Sequence, residues 1–261
     1  MCELSRTLYD GTEHRASEYR GVVSPKPFTS VWTRERRGTR EQGLSRDQIV
    51  RAAVDLLDAE GLDALSMRKL GARLGAGATS LYWHVANKDE LIELVMDEVY
   101  AAVVLPEDAD WRETTRVFAY AMRGAVFAHP WSARLIGMVP ALGPNALTVS
   151  DRLMGAFVRA GFHGIDVDYA CAAVVSYTLG ATIPEVAFLG AVESSGQSVA
   201  DLQAAVEPVL MRAVADRPNL LERYRSYNAM DVDPLVARRL AFDFGLTALL
   251  DGLDRNRTGD S

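Results

Sequence analysis

Residues 65–91 read Leu-Ser-Met-Arg-Lys-Leu-Gly-Ala-Arg-Leu-Gly-Ala-Gly-Ala-Thr-Ser-Leu-Tyr-Trp-His-Val-Ala-Asn-Lys-Asp-Glu-Leu. Ser66 can cap a short helix that turns Met67, Leu70 and Leu74 inward, and Gly75, free to take positive φ, sits where the chain must turn. A second short helix follows from about residue 77 to 84, presenting Ala78, Thr79, Ser80, Tyr82, Trp83 and His84. Two short helices joined at a glycine, the second polar and aromatic rather than amphipathic, match the helix-turn-helix pattern whose second helix enters the major groove of DNA. Exposed rings beside hydroxyls make a poor solvated surface, but in a groove the hydroxyls and His84 reach phosphates and a ring can contact a thymine methyl. Arg68 can pair bidentately with guanine, and the surface alternative, an acid four residues away, is missing because positions 64 and 72 are alanine. Lys88 opens the next helix against that helix's own dipole, which suggests another use for its charge.

Outward from this stretch nearly everything reads helical. Ser45 with Gln48 forms a capping box, and Ile49, Ala53, Leu56 and Leu57 recur at helical spacing until Gly61. Asn87 with Glu90 starts a fourth helix carrying Leu91, Leu94, Val95 and Val99, with Pro106 as its stop. Further helical segments fall at about 110–128, 131–138, 145–160, 166–193, 198–215, 218–229 and 234–253, and no useful strand alternation appears, so the fold class is all-α. The last segment carries two apolar stripes. One is Leu235, Phe242, Leu246, Leu249 and Leu253; the other is Val236, Leu240, Phe244 and Ala248. A helix this broadly apolar needs cover on two sides, as does Tyr169–Leu189, and a second copy of the chain supplies it economically, with Leu235, Phe242, Leu246 and Leu249 expected at the dimer interface.

Composition narrows the rest. The 261 residues are 49% hydrophobic and 24% charged, which excludes disorder throughout and fits one or two packed cores. Cys2 and Cys171 cannot staple a scaffold, and no Cys/His spacing fits a structural metal site, so a reducing cytoplasm, no metal and no cofactor are expected. The first twenty residues lack a secretory pattern, and Tyr169–Pro184, the longest uncharged stretch, is short for a bilayer and reads as a buried helix. The net charge of −7 is unevenly spread: residues 1–44 hold eight basic and six acidic side chains, and Arg34, Arg36, Arg37 and Arg40 bunch together. That region has no sustained period and many breakers, so it reads as a disordered or extended basic arm, with Arg36 and Arg37 placed to follow a minor groove.

Leu81-Tyr82-Trp83-His84-Val85, then Asn87-Lys88 and Leu91, preceded by Leu65 to Leu70 and Leu74-Gly75, closely resembles the N-terminal domain of the TetR family of transcriptional repressors, and within it the tetracycline-repressor branch. The resemblance spans about residues 45–104. It implies a homodimer on a palindromic operator, Arg68 at a base edge, phosphate contacts from Ser80, Tyr82, His84 and Lys88, and Thr79 and Trp83 facing bases. Where that branch has a base-reading glutamine this chain has Ala78, and where it has a threonine before the arginine this chain has Met67, so a different operator is implied. Val103 and Val104 stand where the branch carries a histidine pair, which argues against a tetracycline–magnesium effector.

The expected organisation is a basic arm at 1–44, a helix-turn-helix domain at 45–104, an effector and dimerisation domain at 105–255 and a flexible tail at 256–261. The resemblance implies an effector cavity in the second domain; Trp131, Met138, Met154, Phe157, Tyr177 and Phe188 are suitable walls for a small apolar or aromatic molecule. Glu185 is the polar outlier of its apolar helix and would either orient a ligand or pair with an arginine across the interface. Gly75-Ala76-Gly77 follows a helix and lacks a third glycine, so it is no dinucleotide fingerprint, and His129 and His163 have no catalytic neighbours in sequence. The reading is a ligand-responsive repressor, not an enzyme, with double-stranded DNA, a small effector and its own copy as partners and no membrane; the alternative is a helical ligand-binding or scaffold dimer with vestigial DNA binding.

Overall fold

A computed structural model describes residues 30–33, 44–230 and 232–258, leaving aside the side chains of Ala78, Asn256 and Thr258. Most of the basic arm, Arg36 and Arg37 included, therefore lies outside the described residues. The chain divides into two units, 1–34 and 35–261. In the first, Ser30–Thr33 form a turn closed by the Thr33 N–H donating to the Ser30 carbonyl at 3.1 Å.

Among its described residues, the regular elements of the second unit are all helices. It opens with α1 (Arg46–Glu60), a 3₁₀ turn (Leu62–Ala64), α2 (Met67–Arg73), α3 (Ala78–Leu81) and α4 (Lys88–Ala101). It continues with α5 (Trp111–Ala128), a 3₁₀ turn (Pro130–Arg134), α6 (Pro144–Arg159), α7 (Ile165–Ser195), α8 (Val199–Ala213), α9 (Pro218–Ala229) and α10 (Pro234–Thr258). The local caps form as the sequence predicts. Ser45 accepts from the Gln48 N–H while the Gln48 side chain accepts from the Ser45 N–H, Ser66 accepts from the Lys69 N–H, and Asn87 accepts from the Glu90 N–H. Gly61 takes φ 77° and Gly75 φ 62°, backbone that glycine adopts without strain.

α1, α2 and α4 enclose the first core: Ile49, Ala53, Leu56, Leu57, Leu70, Leu91 and Val95 are buried, joined by Leu81 and Val85 from α3 and the turn after it. α4 belongs to both halves, because it packs on α1 and also on α5 and α6. The second core lies among α5, α6, α7 and α10. At its centre Trp111, Phe157 and Phe162 meet with ring centroids 5.1–5.7 Å apart, each such pair adding about 0.5–1.5 kcal/mol beyond area burial.

Several expectations are corrected here. α3 spans Ala78–Leu81, one helical turn and not two, and is followed by a turn in which the N–H groups of His84 and Val85 both donate to the Leu81 carbonyl. The segment expected at 131–138 is a 3₁₀ turn ending at Arg134. α10 runs through Thr258, past 253 and into the stretch expected as a tail. The uncharged stretch sits within the 31-residue α7, which by length and composition alone is long and apolar enough to cross a membrane; core helices pass the same test. Here one face (Val167, Ala170, Val174, Thr178, Glu185, Val186) is buried while Ile165 and Tyr169 are exposed, so α7 is half-covered. α8 and α9 bury no residue.

Candidate nucleic-acid interface and its junction with the second core

Packing fixes which side of α3 faces outward. Leu81 and Val85 are fully buried, which leaves Thr79, Ser80, Tyr82 (47% exposed) and Trp83 (65% exposed) on the opposite side. An exposed tryptophan next to an exposed tyrosine wastes roughly 25 cal/mol per Å² of apolar surface unless a partner covers it. His84 and Lys88 are half-buried beside this face, and Arg68 is exposed on α2 with no ion pair among the described residues. The structure thus gathers seven of the nine expected DNA contacts on adjoining elements, the other two being the undescribed Arg36 and Arg37.

The electrostatics of this face become clear only with the structure. Residues 45–104 are net acidic, with six basic and ten acidic side chains, yet 66–86 contain Arg68, Lys69 and Arg73 and no acid at all. Several of the domain's acids are held elsewhere. Glu60 is the exception, since it pairs with Lys69 of that stretch and leaves Arg68 and Arg73 as its cations without an ion pair among the described residues. Asp58, at the end of α1, meets the turn after α5: Trp131 Nε1 donates to Asp58 Oδ1 at 2.7 Å, and His129 Nδ1 lies 2.8 Å from the same oxygen. Asp63 receives both Arg134 nitrogens, at 3.1 and 3.4 Å, and this hydrogen-bonded guanidinium, with Lys88 adding a smaller pull, holds its carboxyl below the ordinary 3.8. Asp97, on α4, faces the start of α6. Arg152 fastens the linker after α4 by donating to the Leu105 carbonyl at 3.1 Å and to Glu107 at 3.0 Å.

The six expected pocket residues fall in different settings. Trp131 is committed to Asp58, because its indole N–H needs an acceptor once buried. Phe157 is fully buried in the aromatic cluster, and Met138 is 77% exposed. Met154 lines an open groove of about 460 Å³ with Pro106, Arg152 and Val158. Tyr177 donates its hydroxyl to the Phe242 carbonyl at 2.8 Å, and Phe188 lies under the Arg238 guanidinium, 4.4 Å from the ring centroid. Glu185 does pair with an arginine, but within its own chain: Arg123 Nη2 donates to it at 2.8 Å, and the same guanidinium lies 4.8 and 4.7 Å from the ring centroids of Phe127 and Phe242. Sequence gave no spacing signal for that pair, since the residues lie on different helices.

The expected dimer residues divide too. Phe242 and Leu246 are buried in the chain's own core and Leu249 packs against it, because that stripe of α10 faces α7. Leu235 is exposed, and so is the second stripe, Val236, Leu240 and Phe244 (78%). Among the described residues no cluster of three or more His, Cys, Asp or Glu is arranged to hold a metal.

Comparison with known proteins decides the family. Residues 49–95 match the model for bacterial regulatory proteins of the tetR family, and 105–257 match the tetracyclin repressor-like C-terminal domain. The chain belongs to the TetR family. A helix-turn-helix transcriptional regulator of Saccharopolyspora erythraea is 43% identical to this TetR-family chain over 159 residues, 60% of this chain and 67% of that one. The transcriptional repressor DrrR1 of Streptomyces coeruleorubidus is 30% identical over 88% of this chain and 87% of its own. The structure of the TetR-family protein ActR of Streptomyces coelicolor in complex with actinorhodin superposes with a TM-score of 0.67 at 29% identity, covering 83% of this chain and all of that one. The N-terminal domain is accordingly the DNA-binding domain of a transcriptional regulator.

Proposed function

We propose that this chain is a repressor that binds a palindromic operator as a homodimer in the cytoplasm and is released by a small-molecule effector, with no enzymatic activity of its own. The observation that carries the reading is the outward row of α3, two aromatic rings and two hydroxyls exposed beside an acid-free, cationic stretch. Thr79 and Trp83 face bases, Ser80, Tyr82, His84 and Lys88 hold phosphates, and Arg68 reads a base edge. The exposed faces of α7 (Ile165, Tyr169) and α10 (Val236, Leu240, Phe244) meet their counterparts in the second copy, setting two recognition helices about 34 Å apart on successive major grooves.

Effector binding draws support from ActR, whose structure holds actinorhodin, and from buried polar atoms in the second domain without partners: Arg123 Nη1, Thr115 Oγ1 and Thr178 Oγ1. A cleft between α4 and residues 136–143 holds only about 20 Å³, room for one water, so an effector entering there must displace that segment. Whatever its site, the effector releases DNA only through a difference in affinity between the two dimer geometries.

The test is fluorescence anisotropy with DNA from upstream of the chain's own gene at several salt concentrations, beside Arg68→Ala. Nanomolar, salt-sensitive binding that exceeds scrambled DNA and is weakened in the variant supports the reading. Equal binding to all sequences, or none to any sequence in a random-DNA selection, overturns it in favour of a ligand-binding dimer with vestigial DNA binding.

A further inference from the structure

α6 begins without a cap of its own. Its N-cap is Gly143, which has no side chain to offer, and its first residue, Pro144, has no N–H, so the first donors needing acceptors are the N–H groups of Asn145 and Ala146. Both are met by a residue in another helix, 48 and 49 positions earlier. The Ala146 N–H donates to Asp97 Oδ1 at 2.9 Å and the Asn145 N–H to Oδ2 at 3.2 Å. Asn145 Nδ2 adds a bond to Oδ2 at 3.1 Å and another to the Asp97 carbonyl at 3.3 Å. The carboxylate is 6% exposed and stands at the positive end of the helix dipole, where a negative charge is stabilised. Gly143 has ordinary extended backbone, φ −74°, so conformation does not require glycine there; space does, since a Cβ would lie 2.1 Å from Asp97 Cγ.

We propose that Asp97 is a positioning residue for DNA reading, the strut that sets the angle of α4, and with it the recognition helix, against the effector domain. α4 is bound to the DNA-binding core by its buried Leu91 and Val95, so the head turns with it. At its other end the four bonds to the first turn of α6 hold it laterally, which apolar sliding contacts cannot do. Met96, Asp97 and Tyr100 line the small cleft beside Ile136 and Val139, so a molecule wedged there would draw the carboxylate from the α6 donors. The inference rests on the proposed operator binding for its consequence in DNA, but the strut itself is measurable without DNA.

Asp97→Asn keeps the shape, removes the charge and sets an amide N–H₂ among donors; Asn145→Ala trims only the side-chain bonds and is the milder variant. Phe157→Leu is the control, destabilising α6 at a site remote from Asp97. Hydrogen exchange on the full chain without DNA is expected to quicken at the first turn of α6 and along α4 in both strut variants, by about tenfold or more in Asp97→Asn, but in α6 alone for the control. Selection from random DNA of variable half-site spacing, well below each melting temperature, is expected to show about tenfold weaker spacing discrimination in Asp97→Asn and unchanged discrimination in Phe157→Leu. Exchange confined to the first turn of α6, or spacing loss equal in Asp97→Asn and the control, overturns the strut and leaves Asp97 a helix cap. If the wild type selects no paired half-sites, the operator reading falls and hydrogen exchange alone decides Asp97.

Discussion

Two rows of side chains stand exposed, one on α3 and one on α10, and their chemistry differs in every respect but exposure. The α3 row mixes Thr79, Ser80, Tyr82 and Trp83 beside Arg68 and Arg73; the α10 row, Val236, Leu240 and Phe244, is carbon only. Hydroxyls and rings among cations suit phosphates and base edges, which demand hydrogen bonds as well as contact. An all-carbon stripe offers no hydrogen bond and gains only by excluding water, which a matching stripe on a second copy does best. The make-up of an exposed face thus separates a nucleic-acid partner from a protein one before either is seen bound.

The sharpest way to break this comparison is at α10. Leu240→Glu with Phe244→Glu should halve the mass seen by sedimentation equilibrium and weaken operator binding more than a hundredfold, with helical circular dichroism retained; an unchanged mass would detach α10 from dimerisation. Arg68→Ala comes next. It should weaken specific binding by roughly 5- to 150-fold, the equivalent of about 1–3 kcal/mol, with mass and melting temperature unchanged. Trp83→Ala should cost about tenfold in anisotropy titrations and leave the dimer intact, whereas any loss of stability would mean its ring packs in the folded chain.

Smaller effects belong to the junction, where side chains are paired and not waiting. Trp131→Phe keeps the ring but takes a donor from Asp58, and should lower stability by about 1 kcal/mol in urea titration, His129 still being in place. The least effect is at Asp63. Arg134 lowers its carboxyl in the folded state, so the pair's contribution is present above the ordinary aspartate value and is lost as pH falls through the lowered one. Arg134→Gln should therefore be slightly less stable than wild type at pH 7, and thermal melting should show the difference shrinking as pH falls below the ordinary aspartate value.

What the sequence made legible was local. Ser45, Ser66 and Asn87 announced helix starts because a cap is a bond over three residues, and Gly75 announced the turn because its φ is a property of one. The α3 face was readable for the same reason, its inward Leu81 and Val85 being one turn apart. The junction was not. Asp58 with Trp131, Arg123 with Glu185 and Asp97 with Ala146 join residues 49 to 73 positions apart, and no period in the chain marks them. Trp131 and Phe157 illustrate the ambiguity: an aromatic side chain suits a cavity wall, a polar anchor and a packed core equally until its neighbours are known. On α10 both stripes were visible, but which of them its own subunit covers depended on the path of α7.

The acid-free stretch at 66–86 also has a kinetic meaning. A molecule of net charge −7 is repelled by a duplex from most directions of approach, so encounters that present the body of the chain fail before contact. An approach with Arg68 and Arg73 leading meets no acid within residues 66–86. If the chain binds an operator as proposed, the acidic surround would act as an orientation filter, discarding misaligned collisions and shortening residence on unrelated DNA.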